Sequence, residues 1–162
     1  LYNIWNVYSI MEYKPDEKDM KILWVLNEDS SRSVKSISKK TQIPMTTVHN
    51  RIKKMEKNGL IENYTINVDH KKLGRPISAY VLITLDYNAL KEVDQTMNDV
   101  LAKLKSFNVV EEGASVTGEF DILVFIRVKD IEQIDEFVIK NIRNMTGIDK
   151  TRTLVILKEF NK

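Results

Sequence analysis

Ser33–Ile61 reads SVKSISKKTQIPMTTVHNRIKKMEKNGLI, a short helix, a tight turn and a longer basic helix that stops at Gly59. Val34, Ile37 and Ile43 face inward from the first part. In the second, Val48, Ile52 and Met55 recur at intervals of four and three residues, which puts them on one helical face. The opposite face collects Thr46, Thr47, His49, Asn50, Arg51, Lys53, Lys54 and Lys57. These side chains hydrogen-bond base edges or neutralise phosphates, and Lys35 and Lys39 of the shorter helix join them. Ser33 is placed to cap the shorter helix. Gln42-Ile43-Pro44 supplies the turn, and Pro44 starts the next helix where its missing N–H is harmless. Gly59 stands where a left-handed residue ends it. The stretch is a helix-turn-helix, and its polar face has the chemistry of double-stranded DNA binding.

Charge supports that reading. Ser33–Asn58 holds seven Lys/Arg against one acid, Glu56, whereas Ile77–Gly147 holds seven bases against twelve acids. One part is built to meet a polyanion and the other would repel it. Lysines that merely solubilise a helix face would explain the charge, but not its coincidence with turn-helix geometry. At 162 residues, 43% hydrophobic and 30% charged, the chain has the composition of a globular protein. No apolar run approaches the roughly 18 residues of a membrane span. With no cysteine, a disulfide framework and thiolate metal sites are excluded, which fits a reducing, cytoplasmic interior. The opening LYNIWNVYSI lacks a basic segment and a cleavage site and precedes Met11, so the natural start is expected at Met11, and residues 1–13 are set apart from the domains as a leader or non-native segment.

Working outward, Asp16 caps a first helix whose buried stripe is Met20, Ile22, Leu23, Val25 and Leu26. Leu60–Val68 alternates and is expected to be a strand leading out of the helices. Asp69–Pro76, DHKKLGRP, is a linker. Six elements follow. Strands are expected over residues 77–87, 109–117, 121–128 and 151–160, with helices over 89–104 and 131–145. The first of those helices presents Leu90, Val93, Met97, Val100, Leu101 and Leu104 on one side. The order βαββαβ is the split-βαβ, ferredoxin-like arrangement, an antiparallel sheet with both helices on one face. Residues 121–128 and 151–160 are apolar at both parities, so the uncovered face would be apolar in a monomer. A homodimer formed sheet against sheet is the remedy, with Leu123, Phe125, Leu154 and Ile156 as one candidate face. The class is α+β: a helix-turn-helix (winged-helix-like) domain over residues 14–61, strand and linker over 62–76, and a ferredoxin-like domain over 77–162.

With these residues in place the chain resembles the Lrp/AsnC (feast/famine) transcriptional regulators. The blocks that carry the resemblance are Asp16–Arg32, Ile43–Thr65, LGRP at Leu73–Pro76, VTGEFD at Val116–Asp121 and TRT at Thr151–Thr153. The resemblance as a whole spans about Lys14 to Glu159. The chain departs from the family at Pro44, where a serine is usual, so the recognition helix lacks that side-chain cap. The Lys-, Ile- and Asn-rich composition looks like an AT-rich prokaryotic genome, archaeal among the candidates.

The resemblance implies a regulator that is sequence-specific on DNA, dimeric with further assembly to larger oligomers, and responsive to small effectors, often amino acids. It places the effector at the VTGEFD loop. There Gly118, Glu119 and Asp121, with Thr151 and Thr153 on the last strand, are the candidate residues, and Asp121 would pair with an α-ammonium. The bland alternative, a hairpin turn at Gly118 and ordinary β-branched strand residues, stays open. His49 and His70 have no partner at metal spacing, no phosphate or dinucleotide loop is present, and the adjacent pair Glu111-Glu112 points to opposite faces of a strand. Neither a cofactor, a metal nor an enzyme is therefore expected. The rival reading is a stand-alone small-molecule sensor whose helical head serves protein contacts.

Overall fold

The computed structural model describes residues 13–158. The leader assigned to residues 1–13 and the end of the strand expected to reach Phe160 therefore fall almost wholly outside the described residues. The chain separates into two compact units, Leu1–Asn67 and Val68–Lys162.

The first unit is three helices: α1 (Glu17–Glu28), α2 (Val34–Thr41) and α3 (Met45–Lys57). Each starts and stops for a local reason. Asp16 Oδ1 accepts the N–H groups of Lys18 and Asp19 at 2.8 and 3.0 Å, and Asp19 Oδ2 accepts Asp16 N–H at 3.0 Å, a reciprocal box at the start of α1. Ser33 Oγ accepts Ser36 N–H at 3.2 Å and starts α2, which closes on Gln42 in the left-handed region (φ 58°). At the end of α3, Gly59 (φ 71°) lets Leu60 N–H reach Met55 O and Gly59 N–H reach Glu56 O, the paired bonds of a Schellman stop. Ile22, Val25, Leu26, Ile37, Ile43, Val48, Ile52 and Met55 make the core. Each such burial is worth about 1.5–3 kcal/mol, and a charge at Val48 would open it. Pro44 sits at the N-cap position with ψ 141°, one residue before the place anticipated, and gives α3 no side-chain cap.

Leu60–Val68 is not a strand. Among the described residues the segment joins no sheet, and Ile66 is 81% exposed. Side chains fasten it instead: Tyr64 O–H donates to Glu56 Oε1 at 2.9 Å and Ser30 Oγ–H to Thr65 O at 3.1 Å. Alternation marks a chain ready to pair, and pairing needs an edge that the described residues of this unit do not offer.

The second unit is β1 (Ile77–Leu85), α4 (Tyr87–Glu92), α5 (Met97–Lys105), β2 (Val110–Ser115), β3 (Ile122–Val128), α6 (Ile131–Glu136) with a π-helical turn (Phe137–Ile142), and β4 (Ile148–Val155). The sheet order is β2-β3-β1-β4, antiparallel throughout. That is the split-βαβ arrangement, with strands shorter than expected at most ends.

Two helices differ from the periodic reading. The first breaks at Asp94 (φ 54°), where Gln95 N–H returns to Leu90 O at 2.9 Å and Thr96 restarts the helix by bonding to Asp99. Val93, expected inward, is 49% exposed as a result. The second widens into the π-turn, which keeps Phe137, Val138 and Ile142 all buried. At about 100° per residue an α-helix would carry Ile142 well round from Phe137.

Ala79, Val81, Ile83 and Leu85 of β1 and Ile122, Val124, Ile126 and Val128 of β3 face the helices and are buried. The opposite face carries Tyr80 and Leu82 of β1, Leu123 and Phe125 of β3 and Leu154 of β4, matched across the ladders as Tyr80↔Phe125, Leu82↔Leu123 and Tyr80↔Leu154. The Tyr80 and Phe125 rings lie 5.1 Å apart, and Leu154 is 49% exposed. Ile156, just beyond β4, is half-buried.

Candidate nucleic-acid interface and ligand cleft

Helix α3 buries Val48, Ile52 and Met55 and turns Thr46, His49, Asn50, Lys53, Lys54 and Lys57 to solvent; Thr47 is half-buried. Lys35 and Lys39 are exposed on α2. Threonine, asparagine and histidine occupy the first half of α3 and lysines the second, so hydrogen-bonding groups lead and point charges follow along one face. Lys53 Nζ lies 3.1 Å from Glu56, an exposed pair of little strength. Lys54 Nζ stands 4.9 Å over the Tyr13 ring. Lys40 pairs with Glu28 and stacks at 4.9 Å over Trp24.

Arg51 is the exception. Expected with the DNA-facing residues, it is turned onto α1. Its Nη1 donates at 2.7 Å to both oxygens of Asp16 and at 2.8 Å to Asp19 Oδ1. Asp19 is 2% exposed and takes a further 2.7 Å bond from Tyr13 O–H. Burial alone would raise the Asp19 carboxyl, but hydrogen bonds from Tyr13, the Asp16 N–H and Arg51 outweigh it and hold it below the usual carboxylate range. The hydrogen bond from Arg51 holds Asp16 low as well. The Tyr13 phenol is pushed up to about 12 by burial and by its bond to Asp19. The sequence hid this clamp because Arg51, three residues after Val48 and one before Ile52, sits at the border between buried and exposed faces, where spacing alone does not choose.

In the second unit a cleft of about 570 Å³ opens beside the β2–β3 hairpin. Of the five effector candidates it brings together Glu119 and Thr151; Gly118, Asp121 and Thr153 do not line it. Gly118 (φ 125°) is the hairpin's turn residue. Thr153 pairs with Val81 and Thr151 with Ile83, which places both at the helix-side edge of β4. Asp121 ties the sheet together. Its Oδ2 accepts Leu85 N–H at 2.8 Å, its Oδ1 accepts Tyr87 O–H at 2.9 Å, and its own N–H donates to Ile83 O. The bond to Asp121 holds the Tyr87 phenol above its ordinary range. Both oxygens of Asp121, expected to pair with an ammonium, thus already accept a hydrogen bond within the chain.

Sequence reading missed Phe120, Arg143, Lys150 and Arg152, which share the cleft with Thr84, Ile148 and Asp149. Arg152 was visible inside TRT; nothing around Arg143 marks it. Arg152 lies 3.5 Å from Glu119 and 5.3 Å over the Phe120 ring, and Arg143 Nε donates to Thr151 Oγ1 at 3.1 Å. A larger concavity of about 850 Å³ in the first unit, between α1 and residues 60–67, has no cation among its lining residues. Among the described residues no group of three His, Cys, Asp or Glu is arranged to hold a metal, and no helix is long and apolar enough to cross a membrane.

Comparison with known proteins matches both units of the chain to described domains. Residues 78–162 match the family model described as the Lrp/AsnC ligand binding domain, and residues 15–62 a winged helix-turn-helix DNA-binding model. An uncharacterized HTH-type transcriptional regulator of Pyrococcus furiosus is 34% identical over 143 residues, covering 88% of this chain and 91% of the relative. The structure of Escherichia coli AsnC superposes with a TM-score of 0.77 at 26% identity, over 91% of this chain and 94% of that one. A Neisseria meningitidis transcriptional regulator in complex with L-methionine gives 0.83 at 20% identity, over 92% and 94%, a likeness of fold. Helical reader and ligand-binding sheet, in this order and over nearly the whole chain, make this protein a member of the Lrp/AsnC family of helix-turn-helix transcriptional regulators.

Proposed function

We propose that the protein is a homodimeric, sequence-specific DNA-binding regulator whose operator affinity or assembly is set by an amino acid. Residues 14–61 read DNA, residues 62–76 connect, and residues 77–162 pair the protomers and take the effector. The observation that carries the reading is α3, whose polar face is exposed opposite three buried apolar residues. Thr46, Thr47, His49 and Asn50 face base edges, and Lys35, Lys39, Lys53 and Lys54 face phosphates. Two such helices on a two-fold axis reach successive major grooves of a palindrome-like site.

The apolar sheet face of Tyr80, Leu82, Leu123, Phe125 and Leu154 supports pairing with a second copy, which Ile156 extends. The dimer is the unit from which larger oligomers would be built. The methionine carried by the Neisseria relative supports an amino-acid effector at the cleft of Glu119 and Thr151. DNA as partner supports a cytoplasmic location, and relatives in Pyrococcus support an archaeal origin.

The test is a binding titration on random and genome-selected duplex across a salt series, with sedimentation at micromolar protein. A DNA reader loses affinity steeply as salt rises and prefers selected sequences. A salt-independent interaction, or a stable monomer, contradicts the proposal.

A further inference from the structure

The cleft beside the hairpin has one positive charge more than it has partners. Glu119 faces Arg152 at 3.5 Å, and Asp149 faces Lys150 at 3.8 Å. Arg143 donates to the Thr151 hydroxyl, and among the described residues no carboxylate pairs with it. Arg143 is the first residue after the π-turn and its N–H returns to Val138 O, a five-residue step. Such turns recur at functional sites. Here it sets the guanidinium against β4.

We propose that this cleft takes an α-amino acid with a second carboxylate in its side chain, of the aspartate or glutamate class. The proposal rests on the reading of the cleft as the effector site. A zwitterion enters without net cost in charge, because Glu119 and Arg152 are both exposed and their pair is worth little. The ligand's ammonium takes Glu119 and its α-carboxylate takes Arg152. That exchange leaves Arg143 as unmatched as before, and a side-chain carboxylate completes it with a charge-assisted bond. An apolar side chain finds less. The apolar walls are Ile148 and the Phe120 ring, and Arg152 already lies over that ring.

The experiment is calorimetry of the full-length protein with L-glutamate, L-aspartate, L-methionine, L-leucine and L-lysine, with glutarate as the dicarboxylate lacking an ammonium. The acidic amino acids should bind at least about tenfold more tightly than methionine or leucine, the increment of one charge-assisted hydrogen bond. Arg143→Gln should remove that preference while leaving methionine binding where it was, and Arg143→Lys should restore part of it. Arg143 is exposed, so thermal melts of the variants should match the parent. Methionine or leucine binding as tightly as glutamate overturns the ligand class and leaves the effector reading standing. Glutarate matching glutamate overturns the role given to the ammonium and Glu119. An Arg143→Gln loss shared equally by glutamate and methionine overturns the role given to Arg143. If no amino acid binds at millimolar concentration, the effector reading itself fails.

Discussion

Replacing Arg51 by alanine should destabilise the helical unit without loosening the protein's electrostatic grip on DNA. The change removes three short contacts, two to Asp16 and one to Asp19. The Asp16 side chain is 54% exposed, so solvent screens its contacts and their share is small. Asp19 is different, because its side chain is only 3% exposed. A buried carboxylate stripped of its cation costs about 3–5 kcal/mol. Tyr13 and the Asp16 N–H still donate to Asp19, which reduces that figure. A loss of about 2 kcal/mol is therefore expected, and a unit of this size should melt about 10 °C lower.

Tryptophan fluorescence reports on this transition in the full chain, since Trp24 lies on α1 and no tryptophan follows it in the sequence. The same variant is then titrated onto DNA over a salt series. Each phosphate contact contributes about 0.9 to the slope of log affinity against log salt. With Arg51 clamping α1 to α3, affinity falls but the slope stays that of the parent. Lys54→Ala should do the reverse, lowering the slope by about one and leaving the melt nearly unmoved. An Arg51→Ala protein that melts like the parent while its slope drops by about one would return Arg51 to the phosphates and refute the clamp.

Asn50→Ala should cost about 1–3 kcal/mol at a selected site and little on random duplex, read by competition binding; equal losses on both reject base reading by Asn50. Phe125→Glu sets a charge in the apolar sheet face, and sedimentation should show dissociation to monomer or unfolding, whereas an unchanged dimer moves the interface elsewhere. Gly147→Ala should destabilise by about 2–4 kcal/mol in a chemical melt. Gly147 has φ 81°, and an added Cβ would lie 2.2 Å from Leu90 Cδ2, so Leu90→Ala should cost less in the Gly147→Ala chain than in the parent. Asp16, Asp19 and Glu56 are all held below the usual carboxylate range, so their contribution is complete above that range and is lost as pH falls through their lowered values. The helical unit's urea midpoint should drop below about pH 4, more weakly in Arg51→Ala; a midpoint unmoved in strong acid rejects the linkage.

What was legible in the sequence was what repeats. Val48, Ile52 and Met55 on one face, Asp16 and Ser33 as caps, and Gly59 as a stop are local signals, and each sits where its chemistry requires. The four strands and their order followed from alternation and from the rule that joins split βαβ units. What was not legible depended on groups distant in the chain. Arg51 meets Asp16 across 35 residues and Asp121 meets Leu85 across 36, and neither pairing leaves a periodic trace. The break at Asp94 and the π-turn at Phe137–Ile142 are also responses to packing, since in each case a helix departs from its period to fit the sheet. The Leu60–Val68 expectation failed for a related reason: alternation measures readiness to pair, while a strand also needs a neighbour.

The helical unit separates two tasks that share one helix. Its core is eight apolar residues, a small stock for holding a reading helix at a fixed angle. The clamp of Asp16, Asp19 and Arg51 adds rigidity at the N-terminus of α1, where the capping box already gathers two carboxylates and an arginine from α3 can close over both. Arg51 is thereby held in an orienting role, and on the proposed reading the charge that meets DNA falls to lysines, whose point charges neutralise phosphates without demanding a fixed geometry. On the proposed reading, base discrimination rests on Thr46, Thr47, His49 and Asn50, short side chains whose reach is limited by where the backbone of α3 lies. A tilt of α3 is felt first by those four and least by the lysines. Damage to the clamp should accordingly erode preference for the selected site before it erodes binding to random duplex; equal erosion of both would reject this coupling between clamp and reader.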